Sequence, residues 1–98
     1  MSADLKSLRL FVTVADHGSI SEGAKRCHIA LAAASKRISD LEARARLPLL
    51  VRHARGVTLT SAGHGLLLHA RAVLSAMDRL GAEFDDFQNG VAGVVSIT

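Results

Sequence analysis

Eight basic side chains crowd into residues 25–55: Lys25, Arg26, Lys36, Arg37, Arg44, Arg46, Arg52 and Arg55. Only Asp40 and Glu42 oppose them there, leaving an excess of six positive charges. Cations at that density suit a polyanion, because each one placed against a phosphate releases a condensed counterion. Within this stretch lies "HIALAAASKRISDLEAR", residues 28–44, in which an alanine run leads directly into Ser35, Lys36 and Arg37. From Ser61 onward the balance reverses, with Arg71 and Arg79 set against Asp78, Glu83, Asp85 and Asp86. A basic middle joined to a mildly acidic end implies a polyanion-binding part and a part with another task.

Other chemistry is poorly served. His64 and His69 are five residues apart, about 140° around a helix, so they cannot share a metal as an i,i+4 pair does. Cys27 falls on the inward side of a short helix and reads as a small core residue. Ser19 and Ser21 read as a cap and a phosphate contact. The chain has neither a glycine-rich phosphate loop nor a paired-carboxylate constellation. It reads as a non-enzyme with no catalytic residue, no metal site and no cofactor of its own.

The elements that must position these residues follow from period and punctuation. The 98 residues suit one compact domain, or a small domain plus an extended element. Without tryptophan or tyrosine, and rich in Ala, Leu and Val, the chain favours helices. Its core is small, so a partner subunit is expected to bury some apolar surface. Residues 3–16 form a first helix, with Leu5, Leu8, Val12 and Ala15 inward and Phe11 beside them. Gly18 supplies a left-handed stop, and His17 sits at the negative end of the helix dipole.

"SISE" at 19–22 is a capping-box signature opening a short helix over 20–27. Gly23 inside that helix costs about 1 kcal/mol relative to alanine and suits close helix packing. In the next helix Ala34, Ile38, Leu41 and Ala45 recur at 4-3-4 and define a buried face. Ala32, Lys36, Ser39 and Ala43 then face outward. Pro48 stops that helix near Arg46.

The period then changes. "LLVRHARGVTLT" at 49–60 reads as a two-stranded hairpin with Gly56 in its turn. Thr60 caps a last helix over 61–88, along which Leu66, Ala70, Val73, Met77, Leu80, Phe84 and Phe87 are spaced 4-3-4-3-4-3. Three heptads of an a/d seam indicate pairing with another helix, and the expected partner is a second copy of the chain. Gly81 weakens that helix locally and permits a close crossing or a bend. The whole is mainly α: a winged helix-turn-helix head followed by a long, coiled-coil-like dimerisation helix. No signal-peptide pattern or bilayer-length apolar run is evident, and a single cysteine suits a reducing compartment, so a cytoplasmic, membrane-free setting is expected.

At this point the sequence resembles the N-terminal region of LysR-type transcriptional regulators. The resemblance is carried in order by "LRLFVTVADHGSIS", "AKRCHIA", "SKRISDLEA", "LPLLVRHARGVTLTSAG" and the heptad helix. It implies a DNA-binding head over 1–60 and a linker or dimerisation helix over 61–89. Residues 90–98 would be a hinge and the first strand of a sensor domain that is not in this sequence. A small-molecule effector would bind that absent domain, so none is expected to bind here.

Departures from the family pattern fall on the recognition helix, residues 31–45. Ala30 stands where the family has a capping serine, which forfeits about 1 kcal/mol. Leu31 replaces a glutamine that reaches base edges, and Arg46 replaces a glycine before the proline loop. Direct readout then falls to apolar contacts of Leu31 and Ala32 with thymine methyl groups, and to hydrogen bonding by Ser35 and Lys36. Ser21, Arg26 and Arg37 are expected on phosphates, and Arg52 and Arg55 in the wing, residues 50–59, on the backbone or the minor groove.

The leading expectation is a dimeric, sequence-specific regulator of transcription that binds an interrupted palindrome in double-stranded DNA. The alternative is a protein-interaction or dimerisation module whose DNA readout has degraded. The basic excess argues against the alternative, because a pure pairing module has no use for that charge.

Overall fold

The computed structural model describes residues 4–88. Its order is α1 (Leu5–His17), α2 (Ile20–Arg26), α3 (Leu31–Ala45), β1 (Leu50–His53), β2 (Gly56–Leu59) and α4 (Ser61–Gln88). The terminal "VAGVVSIT" assigned to a further domain lies outside the described residues.

Each boundary has a local cause. Asp4 caps α1, its Oδ1 accepting the Ser7 N–H at 2.8 Å. Gly18 ends that helix at φ +66°, its N–H donating to the Val14 carbonyl at 2.8 Å. Ser19 caps α2 by accepting the Glu22 N–H at 3.0 Å. The box is only half formed, because the Glu22 carboxylate takes the Arg26 Nε–H at 3.0 Å instead. Thr60 caps α4: its Oγ1 accepts the Gly63 N–H at 3.0 Å and donates to the Pro48 carbonyl at 2.7 Å.

The main core gathers Leu10, Phe11 and Val14 of α1, Ile20 and Ala24 of α2, Ala34, Ile38 and Leu41 of α3, and Leu49, Leu50 and Val57 of the hairpin. The inward face of α1 is therefore Leu10, Phe11 and Val14 rather than Leu5, Leu8, Val12 and Ala15. The expected stripe was real, but it serves a second layer. Leu8, with Val12 beside it, packs on Ala70, Leu74 and Leu66 of α4, while Leu5 is exposed. A helix sandwiched between two layers has two apolar stripes, and a single 3-4 template finds only one of them. Ala45 is likewise exposed rather than buried, because α3 ends there and the chain turns away.

Glycine permits the two closest approaches. A Cβ at Gly23 would lie 2.4 Å from Val14 Cγ2, which explains why α1 and α2 cross so tightly. At Gly63 a Cβ would fall 2.1 Å from the Leu49 carbonyl oxygen, where backbone cannot yield. Gly63→Ala is accordingly expected to push α4 off the wing and cost about 1–3 kcal/mol in chemical denaturation.

The ion pairs Arg71–Asp16 and Arg9–Asp78, the latter at 3.4 Å, show that α4 runs antiparallel to α1. Since α1 starts at Leu5, the C-terminal end of α4 projects past it, in a molecule 53 Å long and 24 × 22 Å across. Leu66 and Ala70 of the heptad seam are turned onto the head. Val73, Met77, Leu80, Phe84 and Phe87 are exposed.

Candidate nucleic-acid interface

α3 is held from behind by Ala34, Ile38 and Leu41, which are almost wholly buried. That anchoring leaves Leu31, Ala32, Ala33, Lys36, Ser39, Asp40 and Ala43 exposed, with Ser35 half-buried at the edge. Ala30 provides no side-chain cap to this helix. Ala30→Ser is therefore expected to stabilise the head by about 1 kcal/mol, read as a rise in Tm of about 4–8 °C.

Beside this face stands the wing. Its register pairs Leu50 with Leu59, Val51 with Thr58, Arg52 with Val57 and His53 with Gly56, around a turn at Ala54 and Arg55. Residues directly opposite in an antiparallel pair share a face, so Arg52 lies on the side of the buried Val57, toward the head. The Val57 N–H donates to the Gly18 carbonyl at 3.0 Å, tying the wing to the α1–α2 corner. Between wing, α2 and α3 runs a groove that brings together Ser21, Leu31, Ser35 and Arg52, with Ser19 and His53 on its walls. Arg55 projects from the wing tip, exposed.

The other basic residues divide into held and free. Lys36 leans on Asp40 at 3.2 Å and Arg26 on Glu22 at 3.0 Å, both exposed i,i+4 pairs that hold weakly and yield readily to a phosphate. Arg37 is different. Its Nη1 donates to Ser7 Oγ at 3.3 Å and lies 3.6 Å from Asp4, so it fastens α3 to the start of α1. The Asp4 carboxyl is held below its usual 3.8, chiefly by the Ser7 N–H, then by the Ser7 hydroxyl and the Arg37 charge. Because the value is lowered, this tie is fully present above the ordinary carboxylate range and is lost only as pH falls through the lowered value.

Reasoning from sequence missed that tie, because a helix start placed at residue 3 hid the Asp-x-x-Ser cap. It left Arg44 and Arg46 either solvated or paired locally with Asp40 and Glu42, and the first alternative holds. In the structure Asp40 is taken by Lys36, and Glu42 accepts the Leu49 and Leu50 N–H groups at 2.8 and 3.2 Å. Both arginines are exposed with no acidic partner among the described residues. Arg46 also takes the left-handed conformation, at φ +57°, that a glycine would adopt without strain. No group of three or more metal-ligating side chains occurs among the described residues.

Three helices followed by a two-stranded antiparallel hairpin that packs back on α1 and α4 define a winged helix-turn-helix domain. Within that class, residues 5–64 match the model of the bacterial regulatory helix-turn-helix proteins of the lysR family. The chain belongs to that family. It is 35% identical over 94 residues to the HTH-type transcriptional regulator CzcR of Bacillus anthracis, covering 96% of this chain and 32% of that one. To the nitrogen assimilation regulatory protein nac of Klebsiella aerogenes it is 36% identical over 94 residues, covering 96% and 31%. The chain thus spans about a third of the length of these relatives.

Among solved structures it is similar to the CbnR_DBD–DNA complex, with a TM-score of 0.78 and 33% identity, covering 87% of this chain and 98% of that one. It is also similar to the BenM_DBD/catB site 1 DNA complex, with a TM-score of 0.81 and 30% identity, covering 87% and 94%. No helix among the described residues is long and apolar enough to cross a membrane.

Proposed function

We propose that this chain is the DNA-binding part of a transcriptional regulator, and that it binds an interrupted palindrome in double-stranded DNA as a homodimer. The observation that carries the reading is the groove joining Ser21, Leu31, Ser35 and Arg52 beside an exposed, alanine-faced helix. The likeness to two DNA-complexed domains supports it.

The alanine face lets α3 lie deep in the major groove. Leu31, 51% exposed at its start, and Ala32 offer methyl groups to thymine, and Ser35 and Lys36 offer hydrogen bonds. Ser21 and Arg26, the latter released from Glu22, meet phosphates, while Arg52 and Arg55 follow the backbone on the wing side. Arg37, half-buried against Asp4 and Ser7, acts mainly by orienting α3.

Dimerisation falls to α4. Val73, Met77, Leu80, Phe84 and Phe87 form an exposed apolar row along it. Leu66 and Ala70 support the row from the head side. A Cβ at Gly81 would meet nothing within 4 Å in the same chain, so its small size serves no contact there. A second helix crossing closely would use it.

The test is selection from a random duplex library at moderate salt. An enriched palindrome, with half-sites separated by multiples of about 10 bp, is the expected outcome. T-rich half-sites would support the contacts assigned to Leu31 and Ala32. Failure to bind even at low salt would overturn the reading in favour of a pairing module.

A further inference from the structure

One cluster of cations stands apart from the base-facing side of α3. Lys6 and Arg9 of α1, Arg26 at the end of α2 and Arg37 of α3 surround a cavity of about 640 Å³, a volume that suits a metabolite. Lys6, Arg9 and Arg26 are exposed at its rim, whereas Cys27 and Ile29 are half-buried on its inner wall. His28, between them, takes the left-handed conformation at φ +59° and turns the chain from α2 toward α3. The Cys27 thiol faces the Thr13 hydroxyl there, Sγ to Oγ1 at 3.8 Å.

Among the described residues, none that lines this cavity is acidic. The arginines are balanced from outside it: Arg9 by Asp78 at 3.4 Å, Arg26 by Glu22 at 3.0 Å and Arg37 by Asp4 at 3.6 Å. Lys6 has no acidic partner among the described residues. Pairs so open to water hold weakly, so an anion entering the cavity meets concentrated positive charge and displaces little. Leu31, Ala32, Ser35 and Lys36, assigned to bases above, line none of it. A duplex read by those residues therefore does not require the cavity.

We propose that the cavity binds a small, multiply charged organic anion, a phosphate ester or a polycarboxylate, and that the bound anion weakens DNA binding. Guanidinium forks match the oxygens of either group, and Lys6 adds a point charge. Ile29 and Cys27 receive the carbon body. Coupling to DNA runs through Arg26, which cannot neutralise the anion and a phosphate of the duplex at once. Arg37 adds to it, because an anion that draws it inward loosens its hold on Asp4 and Ser7 and so the orientation of α3. By linkage, DNA expels the anion by the same factor. The site exists without DNA; only its effect on the operator rests on the DNA-binding reading given above.

The experiment follows alkylation of Cys27, the sole cysteine, by neutral iodoacetamide on the whole chain. Pyrophosphate and, separately, citrate are the probes, with chloride at equal ionic strength as reference. A seated probe is expected to slow alkylation about fivefold once its concentration is about four times its Kd. Lys6→Gln combined with Arg9→Gln, its folding checked by thermal melting, should abolish that protection. On the operator, either probe should lower the parent's affinity about fivefold beyond the effect of chloride. The double variant should bind the operator within about twofold of the parent when no probe is present, and show no extra loss when one is.

Equal alkylation rates in probe and chloride overturn the proposal, and the cations are then a solvated face. Protection without any loss of operator affinity supports the site and overturns the antagonism. If the double variant binds the operator weakly with a reduced salt slope, the cations serve phosphates of the duplex and the proposal fails. A chain that is protected by a probe yet binds no duplex overturns the DNA-binding reading and leaves the anion site standing.

Discussion

Met77→Asp is expected to convert the dimer to a monomer and to lower affinity for a two-half-site operator by about a hundredfold or more. Met77 is 40% exposed in the single chain, so an aspartate there is solvated and the head keeps its fold. In a paired seam the same carboxylate would be buried opposite apolar side chains with no cation at hand, and such a charge drives the helices apart. The loss in DNA affinity arises without any change at the interface itself. Two linked heads bind their half-sites with a high effective concentration, whereas a lone head has only its own contacts. Sedimentation equilibrium and a titration on paired and single half-sites separate the effects. The single-site affinity should be unchanged within about twofold, because Met77 touches no residue of the proposed DNA-facing surface. A variant that stays dimeric would refute the seam assignment.

The long helix was legible from sequence because its signals agree. Thr60 caps it, the seam holds its period from Leu66 to Phe87, and the bounds 61–88 are those observed. The helix-turn-helix was legible for a similar reason: Gly18, Ser19 and Pro48 punctuate the chain where its hydrophobic period breaks. What sequence could not settle was direction. Leu5 and Leu10 are the same residue type, yet one is exposed and the other buried, because α1 must serve both the head and α4. Periodicity locates an apolar stripe but does not say which neighbour will cover it.

The interface shows the same division. The residue types pointed to polyanion binding, and Ser21, Leu31, Ser35 and Arg52 line one groove. Which cations are free was hidden. Glu42 reads as a salt-bridge partner in a linear chain, but in space it is committed to two backbone amides at the start of β1. Arg37 reads as a phosphate ligand but lies against Asp4, thirty-three positions earlier in the sequence. Long-range pairing of charges depends on the fold and has no local signature.

The same distinction between held and free cations governs the second large effect. Lys36→Ala together with Arg55→Ala is expected to reduce operator affinity by about a hundredfold. The two losses should differ in kind. Lys36 stands on the outward face of α3 in a weak exposed pair with Asp40, so placing it against a base exchanges one modest contact for a stronger one. Its removal should relax discrimination at one position of each half-site, by about 1–3 kcal/mol. Arg55 stands at the exposed wing tip with no acidic partner among the described residues, so its contribution is largely electrostatic.

Removing Arg55 should weaken binding to all sequences alike and lower the slope of log affinity against log salt by about 0.9 per head. Arg37→Ala provides the contrast, because Arg37 is already committed within the fold. It should lower thermal stability before it alters the salt slope. If the double substitution changed neither affinity nor slope, the positive charge of the head would have some other use, and the pairing-module reading would account better for the chain. Titrations of the three variants across a salt series, on operator and on random duplex, would decide between the two.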